Sequence, residues 1–364
     1  MGKNDAGRLI WGWLGTGLIL LAACARPTPV PLDLDYPTQP VRLPQDLAAH
    51  DWAQMEWWYY TGHLETAEGQ RFGFELTFFR RRTDRDHLFG VPLRSVARLA
   101  YMAHFAVIDE SSGRYRHWPL IAPGGREAHA STERYEVAVA NWSVSGDETA
   151  HRLEAKIPEA ALRLELKPEK PAALHGEGGI VPKGRGLANY YFSYTRMQAQ
   201  GTLTFQGRET AVTGLAWFDH EFGYMGETTV DGWDWWSLQL EDRTEYMIYA
   251  VRDSGGQVVP ESRACRIDPE GREACEPFSE AKVEVLGHWQ SPPTRALYPS
   301  AWHIVIARFG LDVIVVPRVA NQEFRMGDFA YWEGSCVVRG APANGLAYVE
   351  LVGYRRSQAL QGFE

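Results

Sequence analysis

The chain has 364 residues, a formal net charge of −9 at neutral pH and a 12% share of aromatic residues that includes 14 tryptophans. An acidic balance of this size argues against a nucleic-acid partner, since a phosphate backbone is gripped by a surplus of Lys and Arg. So many rings build either a large β core or a ligand cavity with flat walls.

The first residues read as an export signal. Lys3 and Arg8 form a basic region, and Leu14 to Ala23 a short apolar run that is too short to span a bilayer as a mature helix. The run closes on Leu21-Ala22-Ala23-Cys24, the lipobox pattern, in which the Cys24 thiol takes a diacylglyceryl group and becomes the first mature residue. A cleaved signal with an incidental cysteine is the alternative, and the small-small-Cys order at this depth favours lipidation. Two or three acyl chains anchor firmly, because each buried CH₂ contributes roughly 0.8 kcal/mol. Ala25 rather than Asp behind the cysteine points to a cell-envelope protein on the outer membrane, facing the periplasm. Residues 24–46 carry Pro27, Pro29, Pro31, Pro37, Pro40 and Pro44, the composition of an extended, semi-rigid tether. The folded body is then expected from residue 47, with length for two domains, divided as 47–215 and 216–364.

Within the body, Phe72, Phe74, Leu76 and Phe78 alternate with Gly73, Glu75, Thr77 and Phe79, a period of two. Similar runs recur at 56–64, 101–108, 135–139, 152–157, 162–166, 190–197 and 201–205. More follow at 235–240, 245–251, 302–306, 311–316 and 348–354. Turn signals such as Ser111-Ser112-Gly113 separate them. Many short strands with few helical stretches predict an all-β protein of antiparallel sheets closed as barrels or sandwiches. The Gly-rich segment 176–186 is expected to be a long loop. It lacks the Gly-Lys-Ser/Thr of a phosphate loop, so a nucleotide is not expected. Cys265 and Cys275 flank the turn signal Asp268-Pro269-Glu270-Gly271 and are expected to bridge across a hairpin. Cys336 is expected to be a buried free thiol.

Several segments in order carry a resemblance. They are Glu56–His63, Phe74–Arg80, Ala103–Ala106, Gly214–Gly223, Gly232–Leu240, Tyr298-Pro299 with Trp302, Tyr331–Gly334 and Tyr348–Tyr354. Together they resemble the AttH and carotenoid 1,2-hydratase (CrtC) group, often labelled predicted secreted hydrolases, over nearly the whole mature chain. The resemblance implies two lipocalin-like (calycin) β-barrels in tandem with a hydrophobic cleft involving both. In the group, the carotenoid enzymes add water to a terminal isoprenoid double bond, and AttH-like members commonly accompany an ABC transporter.

The residues themselves suggest where chemistry would sit. If Leu215–Gly223 is a strand, Trp217, Asp219 and Glu221 share one face while Phe218, His220 and Phe222 share the other. Two carboxylates about 7 Å apart on one strand face repel when ionised, so one can stay protonated and serve as an acid. Hydrating an alkene needs such a donor, an aromatic wall for the carbocation and an acceptor to activate water. Asp219 or Glu221 would donate, Asp234 or His220 would accept, and Trp217, Trp233 or Trp235 would form the wall. Trp57, Trp58, His63 and His104 are candidates for the ligand cleft. The competing reading is structural: the Trp-Phe-Asp-His-Glu run would only satisfy buried backbone at the junction, and His63 and His104 would be bonded core residues.

Other enzyme classes lack support. His220-Glu221 is not followed by the second histidine of a zinc protease, and there is no Gly-x-Ser-x-Gly elbow. His63, His104 and His220 would have to converge in space to hold a metal, so neither metal nor cofactor is assigned. Two function classes stay in front. One is a membrane-tethered carrier of a hydrophobic small molecule or lipid, working with a transporter, and it takes precedence because no catalytic constellation is specific. The other is a hydratase-like enzyme acting on an isoprenoid-like lipid. A sugar-binding surface protein would need outward tryptophans, whereas these alternate among apolar neighbours.

Overall fold

The computed structural model describes residues 39–83, 87–88, 91–92, 97–184, 187–224 and 230–355. The expected signal, Cys24 and most of the tether lie outside the described residues. Packing begins before residue 47, because Val41 is buried with Leu47, Ala49 and Ala53 against the first core, and its N–H donates to Gly178 O at 2.8 Å.

Antiparallel strands build two large sheets. The spatial order of the first is Arg114–Pro123, Leu99–Asp109, Arg71–Arg82, Met55–Glu65, Arg208–Gly223, Leu187–Phe205, Ala160–Pro168, His151–Lys156, Trp142–Gly146, Tyr135–Val139 and Ala128–Ala130. It curls into a nearly closed barrel filled by side chains such as Trp58, Tyr60, Phe74, Phe78, Trp142 and Phe218. The second runs Glu273–Pro277, Arg263–Ile267, Glu245–Asp253, Val230–Leu240, Gly345–Val352, Phe329–Ala341, Leu311–Pro317, Trp302–Ile306 and Lys282–Val285. This half-barrel encloses Trp236, Leu238, Tyr246, Trp302 and Trp332. The architecture is the all-β tandem of lipocalin-like barrels.

The two barrels pack face against face, so the central strands are buried on both sides. Met55–Glu65 shows this: Trp58, Tyr60 and Leu64 enter the first core, while Trp57, Tyr59, Thr61 and His63 alternate toward the second sheet. The division expected at 215/216 falls inside Arg208–Gly223, which pairs with Met55–Glu65 throughout, from Glu65↔Thr213 to Met55↔Gly223. The chain changes sheet between Gly223 and Val230.

Two local features differ from or refine the sequence reading. The segment expected as a loop carries the short strand Ile180–Gly184, paired to Leu187–Phe205 like Ala173–Leu174 just before it. A register shift between Tyr194 and Met197 turns Arg196 outward, as bulges do. Its guanidinium reaches Glu245 Oε1 at 2.5 Å and Leu240 O at 2.7 Å. Lys170 closes on the same carboxylate and donates to Arg243 O and Asp268 O. Two first-barrel cations thus clamp one second-barrel carboxylate. Cys265 and Cys275 stand directly opposite on adjacent strands and are bridged, and Cys336 is a buried free thiol.

Candidate active site at the barrel junction

Strand registry lays the junction out as rows. Across the first sheet, His104, Thr77, Tyr59, Asp219 and Ser193 stand side by side, and the next row is Glu75, Thr61 and Trp217. Across the second sheet, Trp235, Glu350 and Glu333 form the facing row.

The two sheets exchange hydrogen bonds reciprocally. Tyr59 of the first barrel donates to Glu333 Oε1 of the second. Tyr331 of the second donates to Glu75 Oε1 of the first at 2.8 Å. Because the Tyr331 hydroxyl spends its proton on Glu75, it accepts from His104 Nδ1–H, 2.7 Å away. That tautomer leaves His104 Nε2 as an acceptor. Among the described residues, His104 Nε2, Glu75 Oε2 and Glu333 Oε2 are buried atoms without a hydrogen-bond partner.

Electrostatics set the protonation states. Burial pushes Glu75 up to about 8 against the Tyr331 hydrogen bond. Burial, then the Glu75 and Glu350 charges, hold Glu333 well above the carboxylate range. Desolvation pushes Glu350 up to about 7, with Trp233 Nε1 donating to it at 2.8 Å. Burial and the nearby His117 lower His104 to about 3, so its ring is neutral. Neutral acids and a neutral imidazole with an unpartnered Nε2 thus share one apolar junction. Trp235 closes one wall, edge-on to Tyr59 (centroids 5.6 Å) and Trp217 (5.9 Å). Half-buried Trp57, Phe79, Met102, Trp233 and Phe329 edge the same face.

Of the residues singled out from sequence, Trp57, His104, Trp217, Asp219, Glu221, Trp233 and Trp235 reach this face. Burial pushes Asp219 up to about 6, against hydrogen bonds from Ser193 and Trp217; the Trp217 bond is 2.7 Å. Glu221 pairs with Lys183 Nζ at 2.5 Å and accepts from Asn189 Nδ2 at 2.8 Å. His63 sits apart, 4.0 Å from Glu110, beside a cavity of about 230 Å³ that Arg71, Arg318 and Leu346 also line.

Three candidates point elsewhere. Trp58 is core, donating to Leu47 O at 3.2 Å. His220 lies on the opposite strand face from Asp219, stacked on Trp58 and 3.1 Å from Glu56 Oε1. Asp234 turns away, bonded to Arg252 at 2.5 Å and to the Tyr354 hydroxyl at 2.9 Å. His63, His104 and His220 accordingly do not converge on a metal. His50, Glu56 and His220 do cluster, but Arg80 Nε, 3.6 Å from Glu56 Oε2, already supplies the positive charge. Against desolvation, hydrogen bonds from His220 and His50 draw Glu56 down to about 2.

Sequence reasoning passed over Glu75, Glu333, Glu350, Tyr59 and Tyr331. The signal was present: each glutamate interrupts an apolar or aromatic run, in Phe-Glu-Leu, Trp-Glu-Gly and Val-Glu-Leu, and a charge placed there is costly unless it is paired or neutralised.

Comparison with known proteins adds the following. A family model described as AttH-like matches residues 35–354. The chain is similar, at 29% identity and a TM-score of 0.78, to an AttH protein from Nitrosomonas europaea, over 89% of this chain and 100% of that one. It is also similar to kievitone hydratase from Nectria haematococca, with 14% identity, a TM-score of 0.68, and 86% and 93% of the two chains covered. At that identity the likeness establishes the fold alone. No curated protein sequence matches the chain.

Proposed function

The chain belongs to the AttH-like family, and on that footing we propose that it binds a hydrophobic, unsaturated small molecule at the barrel junction and transfers protons to it. One observation carries this reading: Glu75 and Glu333, both neutral acids with a bare buried oxygen, share the junction with His104, whose Nε2 is likewise bare. For addition of water, a glutamic acid would protonate one alkene carbon, and the ring faces of Tyr59 and Trp235 would stabilise the cation. Water would then attack the cation and release its spare proton to His104. A structural neighbour named as a hydratase fits that reaction class.

A carrier reading draws on the aromatic edge of the junction and on the sequence pattern at Cys24. In it, the protein, acylated and held at the outer membrane, hands a hydrophobic ligand to or from an ABC transporter. Incubating the protein with lipid extract of its host in ¹⁸O-labelled water separates the two. The enzyme should place ¹⁸O in an extract component, and Glu75→Gln or Glu333→Gln should cut that by roughly 10²–10⁴-fold, the usual share of proton transfer, with binding retained. Wild-type protein that retains a lipid but never labels it would leave only carriage. The anchor has its own check. Cys24→Ser should leave the protein unprocessed or soluble, and a variant still sedimenting with membranes after normal processing would exclude lipidation.

A further inference from the structure

A second hydrogen-bonded chain leads from Asp219 to the edge of the second sheet. Glu273 Oε1 lies 2.5 Å from His175 Nδ1, and His175 Nε2 lies 2.6 Å from Ser193 Oγ. The Ser193 hydroxyl donates to Asp219 Oδ1. His175 and Ser193 are buried, while the Glu273 side chain keeps 11% of its surface exposed.

Acid, histidine and serine in this order imitate a hydrolase triad, but the donor directions oppose one. A nucleophilic serine gives its proton to the imidazole. Ser193 gives its proton to Asp219, so its oxygen accepts from His175 Nε2–H. With Nδ1–H donated to Glu273, both ring nitrogens carry protons and the ring is an imidazolium. The groups around it agree. Tyr191 packs on the ring at 4.4 Å. Glu273 faces it from the second sheet, and Asp219 and Glu221 from the neighbouring strand, with Lys183 paired to Glu221. Against the cost of burial, the Glu273 charge and hydrogen bond raise His175 above its ordinary value.

We propose that His175 is a proton store for Asp219, with Ser193 as the relay and Glu273 as the counter-charge. One proton passes from His175 Nε2 to Ser193 Oγ as Ser193 passes its own to Asp219 Oδ1. A neutral imidazole remains, still bonded through Nδ1–H to Glu273. The reverse shift restores the starting state. The use of the stored proton rests on the acid-catalysis reading, whereas the relay itself rests on the hydrogen-bond geometry.

Neither of two measurements needs a substrate. Nitrogen-15 NMR of the whole chain, labelled at histidine, should find His175 with both ring nitrogens protonated at pH 7. Infrared spectroscopy after a pH jump should follow the carboxyl band that Asp219→Asn removes. Its relaxation should slow at least tenfold in Ser193→Ala and recover in Ser193→Thr, which restores the hydroxyl. An unchanged rate in a folded Ser193→Ala variant, or a bare ring nitrogen on His175 in the wild type, would overturn the proposal. The NMR result decides alone if Ser193→Ala does not fold. Failure here leaves the ¹⁸O experiment untouched, and failure there leaves the relay standing.

Discussion

Glu333 and Glu350 stand directly opposite one another on adjacent strands, where two ionised carboxylates repel. Burial raises both, and for Glu333 the Glu75 and Glu350 charges add to it, so folding avoids the cost of an ionised, desolvated carboxylate by retaining protons. An unfolded glutamate releases its proton near 4.5, whereas folded Glu350 holds it to about 7 and Glu75 to about 8. Such a group's contribution to stability is full below 4.5 and is lost as pH rises through the folded value. His104 and His151, both lowered to about 3 chiefly by burial, act with the opposite sign: their contribution is present above 6.5 and lost as pH falls. Comparing Glu350→Gln with wild type cancels that background. The variant's melting temperature should gain on wild type between pH 4.5 and 7 and then run parallel to it, in thermal melts from pH 4 to 9. A constant offset at every pH would mean that Glu350 keeps an ordinary pKa.

Strand pairing explains both what was legible in the chain and what was not. The period of two separated Trp217, Asp219 and Glu221 from Phe218, His220 and Phe222, and the structure places the first three at the junction. The same rule could not say which face of a doubly buried strand meets the other barrel. Trp57 and Trp58 are chemically alike, yet one faces the junction and the other the core. Asp234 sits among tryptophans just as Asp219 does, and its partner Arg252 comes from the adjoining strand. The acids were hidden by distance along the chain: Tyr331 meets Glu75 across 256 residues, and Tyr59 meets Glu333 across 274. Such contacts are set by docking rather than by local pattern. Pairing also has a steric limit between Met55–Glu65 and Arg208–Gly223. A Cβ on Gly214 would lie 1.8 Å from His63 O, a backbone atom that cannot swing aside. Gly214→Ala should therefore destabilise by about 1–3 kcal/mol, as overpacking does, seen as a lower urea midpoint. An unchanged midpoint would mean that the two strands can part freely.

At the scale of the molecule, the barrels are joined by charge as well as by apolar contact. Glu245 answers both Lys170 and Arg196 out of water. Glu245→Ala would strand two cations, at a cost of about 3–5 kcal/mol for a broken buried pair. The loss falls on the contact between barrels, so calorimetry should resolve two transitions where wild type gives one. A single transition at the wild-type temperature would deny the clamp its role. The crossed Tyr59–Glu333 and Tyr331–Glu75 bonds also bear on the order in which the protein is made. Tyr59 and Glu75 leave the ribosome early, Tyr331, Glu333 and Glu350 late. Until the later strands close over the earlier ones, each of these glutamates is wetted and behaves as an ordinary carboxylate. Their retained protons are thus withheld from the nascent chain and arrive with the final closure, and a product truncated before Tyr331 would carry only half of each crossed bond.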